Sequence, residues 1–151
     1  MKNDVLRRLT VLSVIAVIAL VSGNLISAQT RSYMNTQVMS DGPYGPIIEV
    51  PQNTATWVTW NADRKSCAMG DGTMWNYSND NNGYHFYTYV GSSIGVIPYT
   101  QYSHAVFNYD YSTMAIFYSF GMQGMMINMR SDWQYIGEGK QAAEDWATGN
   151  Y

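Results

Sequence analysis

Beyond residue 28 the chain contains no leucine; all five leucines stand at positions 6, 9, 12, 20 and 25. Leucine is among the strongest helix formers, so its loss from the body of the chain argues against a helical bundle. There is one cysteine, Cys67, which excludes an intramolecular disulfide and a disulfide-stapled mini-protein. Charge is sparse: five basic residues face ten acidic ones from Gln29 onward, with no Lys/Arg cluster. Nucleic acids and anionic lipid surfaces are bound through cation stripes, so no nucleic-acid partner is expected. Only two histidines are present, His85 and His104, and no paired spacing brings them together as ligands. No metal site and no cofactor is therefore expected.

What is present begins at the amino terminus. Lys2, Arg7 and Arg8 are followed by an apolar run over residues 9–21, broken only by Thr10 and Ser13, and then by small residues ending at Ala28. Basic start, apolar centre and small-residue end are the order of a secretory signal peptide. Residues 1–28 are expected to be cleaved after Ala28, leaving a secreted or periplasmic protein that meets the membrane only during export. The alternative is a membrane anchor formed by residues 9–25. A spanning helix needs about 20 mainly apolar residues, and this run reaches that length only by drawing Ser22, Gly23 and Asn24 into the bilayer.

All 13 Tyr, 5 Trp and 4 Phe lie beyond residue 28. Aromatic and β-branched residues favour strands, and each ring buries on the order of 150–250 Å². The body of the chain thus reads as all-β with a packed aromatic core. Residues 29–45 are polar and end in turn residues, which suggests a flexible N-terminal lead or a loose first strand. Residues 46–151 read as a single β-rich domain. Residues 47–50, held between Pro46 and Pro51, suit an edge strand. Residues 56–60 and 73–77 suit short strands. Asn82-Gly83 is the strongest hairpin signal. Residues 84–90 form the clearest strand, with Tyr84, Phe86, Thr88 and Val90 on one face and His85, Tyr87 and Tyr89 on the other. Residues 92–99 form a further short run. Residues 103–130 read as a three-stranded antiparallel meander. Residues 138–148 suit a short helix closed by Gly149 and Asn150, with Trp146 expected to dock it and Trp146→Ala expected to cost about 3 kcal/mol or more. The fold class is all-β: a small antiparallel sandwich, roll or barrel with a short C-terminal helix.

Chemical constellations are few. Cys67 with His85 or His104 is the one conceivable thiol–imidazole pair, and Arg64 and Lys65 are placed to lower the thiol pKa. The surroundings of Cys67 match no nucleophile motif, and a buried thiol is the simpler reading. His85, mid-strand among rings, reads as a hydrogen-bonded packing histidine. Met122, Met125, Met126 and Met129 resemble a Cu(I)-binding patch, yet methionine also fills the volume that leucine would take. Asp80 and Asn82 offer oxygens but lack the twelfth-position acid of a calcium loop and read as a turn. Asn76-Tyr77-Ser78 is formally a glycosylation sequon. No acid pair suited to glycoside cleavage stands out, and no hydrolase, zinc-protease or phosphate-loop motif occurs.

The aromatic surplus is the remaining clue. Exposed rings stack on sugar faces or form protein contacts. The expected function is a noncatalytic binding or structural role through an aromatic face, with a glycan or a protein as partner. Trp57, Trp60, Trp75, Tyr87 and Tyr89 are the candidate binding residues. The competing readings are a small secreted hydrolase built from scattered Asp, His and Tyr residues, and a Met/His metal-handling protein.

Overall fold

A computed structural model describes residues 28–42, 45–93, 99–122 and 124–151. Nine strands and one helix follow in chain order: β1 (Gln29–Gly42), β2 (Gly45–Glu49), β3 (Ala55–Trp60), β4 (Ser66–Met69), β5 (Thr73–Asn81), β6 (Tyr84–Ser92), β7 (Thr100–Asn108), β8 (Thr113–Met122), β9 (Met125–Glu138) and α1 (Gln141–Thr148). Among the described residues, no helix is long and apolar enough to cross a membrane.

Of the three expected architectures, the barrel is the one formed. From β3 onward each strand pairs antiparallel with the next, and β1 pairs with both β3 and β9, so eight strands close into a barrel. Closure removes the unpaired edges that an open sheet must protect. β2 lies outside the closure. It pairs with the outer half of β1 alone, from Val38↔Glu49 to Gly42↔Gly45, as an edge strand beyond the barrel.

Of the two forms expected for this segment, a flexible lead or a loose first strand, the structure has a strand, β1, of fourteen residues. Its polar composition obscured this because a barrel strand buries only one face, and here the buried face is short. Tyr33 is fully buried, whereas Arg31 reaches Glu138 of β9 through an ion pair of 3.1 Å. The turn residues expected at the end of segment 29–45 and the run expected at 92–99 lie partly outside the described residues.

Period-two alternation explains the core. Val58, Trp60, Cys67, Trp75, Tyr87, Ala105, Phe107, Met114 and Ile116 point inward and are at most 6% exposed. An eight-stranded barrel is just wide enough for side chains to fill, and rings supply the volume in the absence of leucine. They meet edge to face, as Trp60–Phe107 (5.3 Å) and Tyr87–Phe107 (5.4 Å) do. The turn at Asn82-Gly83 joins β5 to β6 with φ of 49° and 80°, the paired positive angles of a type I′ hairpin.

The helix is shorter than expected and docks differently. Ala143 is buried, and its N–H donates to Ser32 Oγ at 3.1 Å. Gly137 makes room for it: a Cβ there would stand 2.8 Å from the Cβ of Ala142. Trp146, the expected anchor, is half-buried and stacks on Tyr151 with centroids 4.3 Å apart. The close approach of helix and sheet needs small residues, so the alanines seat the helix and the large ring is displaced to its side.

Candidate functional site

The barrel's outer face carries a groove of about 510 Å³ across β6, β7, β8 and β9. It follows from strand register. Phe86 pairs with Val106, Val106 with Ala115, and Ala115 with Asp132, forming one outward row. Val106 and Ala115 are the small apolar members of that row and make the floor. On one side His104, Phe117 and Arg130 pair successively and form a wall of rings. On the other, Tyr84 pairs with Asn108 and Thr113 with Gln134, giving a polar wall. Four strands spaced about 4.8 Å apart make a trough about 15 Å long.

The ring wall is a continuous stack. The planes of His104 and Phe117 lie 17° apart with centroids separated by 4.4 Å, and the Arg130 guanidinium sits 5.5 Å from the Phe117 centroid. Partial burial pushes the His104 pKa below the ordinary histidine value, which favours the neutral imidazole. Its Nδ1 lies 2.8 Å from Ser103 Oγ.

Charge within the groove cancels. Among the described residues, Arg130 and Asp132 are its only charged lining residues, and Arg130 Nε donates to Asp132 Oδ1 at 2.7 Å. Gln37 Nε2 donates to the other carboxylate oxygen at 2.6 Å. Asp132 is thus committed on both oxygens, and His104 lies two strands away from it. The lining offers hydrogen-bonding amides, hydroxyls and rings.

The five aromatic residues singled out by sequence do not form one exposed face. Trp60, Trp75 and Tyr87 are at most 1% exposed and fill the barrel interior. Tyr89 also points inward, 5.4 Å from Trp75 and 5.3 Å from Tyr102. Trp57 alone faces outward, with Lys140 Nζ 5.4 Å from its ring. The reason is volume: with no leucine available, the inward positions take the largest rings. Sequence reasoning missed Phe86, His104, Phe117, Arg130 and Asp132. Phe86 and Phe117 were readable as opposite in parity to the core rings, but their assembly depends on register across four strands.

The other sequence candidates are separated. Cys67 is buried and free, and burial pushes its thiol up to about 12. His85 bonds to Asp80 and to the Tyr109 carbonyl, and His104 to Ser103, so no thiol–imidazole pair forms. Met69 and Met114 enter the core, whereas Met125 and Met126 are exposed near the β8–β9 turn. Among the described residues there is no cluster of three or more His, Cys, Asp or Glu suited to a metal. No protein-family model matches the chain, and no curated protein matches it.

Proposed function

We propose that this protein is an exported, noncatalytic binding domain whose outer groove takes a short neutral saccharide. The observation that carries this reading is the groove's three-part lining: a stacked ring wall, a small apolar floor and a wall of amides and hydroxyls. A pyranose has the same division, with C–H faces that lie on rings and hydroxyls that bond to amides. The volume falls within the ordinary range for small-ligand sites. The internal Arg130–Asp132 pair leaves no uncompensated charge, which favours an uncharged ligand. A peptide adding a strand is disfavoured at this place, because β6 to β9 are hydrogen-bonded on both sides.

Export is proposed from the basic, apolar and small-residue order of residues 1–28. In support, β1 begins at Gln29, so a cut after Ala28 leaves every barrel strand intact.

The test is an NMR titration of residues 29–151 with neutral di- and trisaccharides of glucose, mannose and N-acetylglucosamine. Amide shifts should move at Val106, Ala115 and Phe117, and Ala115→Trp, which fills the floor, should abolish them. A panel that leaves those amides unmoved at millimolar sugar would refute the reading.

A further inference from the structure

At one end of the barrel the 109–112 loop folds across the core. Tyr111 is buried there, and its carbonyl accepts from Tyr33 Oη at 2.8 Å. His85 stacks on the Tyr111 ring with centroids 4.5 Å apart and planes 12° from parallel. His85 Nδ1 lies 2.6 Å from Asp80 Oδ1, and Nε2 lies 3.1 Å from the Tyr109 carbonyl oxygen. A carboxylate and a carbonyl both only accept. A neutral imidazole carries one N–H and one lone pair, so it satisfies one of these partners and opposes the other with a lone pair. Both bonds form together only when His85 carries both protons.

We infer that the 109–112 loop is a pH-sensitive latch on the groove's polar wall, closed by doubly protonated His85 and loosened when His85 gives a proton to solvent. The neutral ring keeps its N–H on the Asp80 carboxylate, the stronger acceptor, and the bond to Tyr109 is the one lost. The loop holds the wall directly. Asn108 Oδ1 accepts from Thr113 N at 2.8 Å, and Asn108 Nδ2 donates to Ser112 Oγ at 2.9 Å. Asn108 and Thr113 are both wall residues of the groove, and Tyr84 and Phe86 flank His85 in sequence.

Charged and titratable groups surround His85 and the loop. Asp80 and Tyr77 face His85 from β5, and Lys65 lies 4.3 Å from the centroid of the Tyr77 ring. Arg64 lies 4.4 Å from the Tyr111 centroid. From β1, Arg31 donates to the Asp110 carbonyl at 2.8 Å and pairs with Glu138 of β9. The loop itself brings Tyr109, Asp110 and Tyr111, and Tyr87 Oη lies 3.4 Å from Tyr111 Oη. The hydrogen bond from His85 holds the Asp80 carboxyl below the usual carboxylate range. The latch is therefore closed while His85 carries both protons and loosens when the ring loses one. Arg31 and Tyr33 hold the loop at either pH, so the opening is local.

Only the latch's effect on a ligand rests on the saccharide reading. The experiment is amide hydrogen exchange of ligand-free residues 29–151 at about pH 5.5 and about pH 8, corrected for intrinsic exchange. Losing a charge-assisted hydrogen bond should raise the opening constants of Ser112 and Thr113 about tenfold at the higher pH. Asp80→Asn should remove this pH dependence and leave the loop closed, because the amide can turn its NH₂ toward Nδ1 while Nε2–H serves Tyr109. Equal protection at both pH values, or an unchanged pH response in Asp80→Asn, would overturn the latch. A loop that responds as expected in a protein whose groove amides ignore the sugar panel would sustain the latch and refute the saccharide reading.

Discussion

The imidazole of His104 lies against the ring of Phe117, with centroids 4.4 Å apart and planes within 17° of parallel. The contact joins β7 to β8 on the outer face and places a titratable group inside the groove wall. The folded pKa of His104 is lowered by burial, so below the ordinary histidine range the unfolded chain binds a proton that the folded chain takes up less readily. Stability should fall as pH drops through that range. Urea unfolding at about pH 7.5 and about pH 5.5 should show a smaller loss in His104→Gln than in the parent chain. An equal loss in both would show that His104 has no part in the acid response.

Trp75 tests the interior. It is fully buried, and its indole N–H donates to Thr73 Oγ1 at 2.9 Å. The same hydroxyl donates to Asp71 Oδ1 at 2.7 Å. Thr73→Val keeps the side-chain shape and removes both bonds, leaving a buried N–H unpaired. It should cost about 1–3 kcal/mol in urea unfolding. Thr73→Ser, which retains the hydroxyl, should lose less.

Gly137 and Trp146 test how the helix is seated. Gly137→Ala places a Cβ 2.8 Å from that of Ala142 and should cost about 1–3 kcal/mol by forcing α1 away from the sheet. Trp146→Ala should cost about 1 kcal/mol, because the ring is half-buried and stacks on Tyr151 beside the helix. Thermal unfolding of the two variants decides between them. A larger loss for Trp146→Ala would restore the ring as the anchor, as its sequence position suggested.

Much of the fold was legible because it rests on local rules. Alternation along residues 84–90 placed Tyr87 and Tyr89 on one face and Phe86 on the other, and the structure keeps that division. Asn82-Gly83 marked a tight hairpin, because few residue pairs accept two positive φ angles. The groove was not legible. His104, Phe117 and Arg130 stand on three strands, and nothing in their spacing reveals that they are neighbours. The candidate tryptophans failed as a surface for a related reason. Alternation separates two faces but does not say which is inside, and that choice is made by volume when the barrel closes.

The sequence by itself determined the strand periodicity, the type I′ turn, the lack of disulfides and a core of rings in place of leucine. These are properties of single residues and of short segments. The tertiary structure decided the closure of β1 on β9, which brings Arg31 beside Glu138, 107 positions away. It also decided which face of each strand meets solvent and which outward side chains share a row. Register and closure are set by pairing between distant strands and by how much side-chain volume the barrel can hold, and neither is fixed until the whole chain is folded.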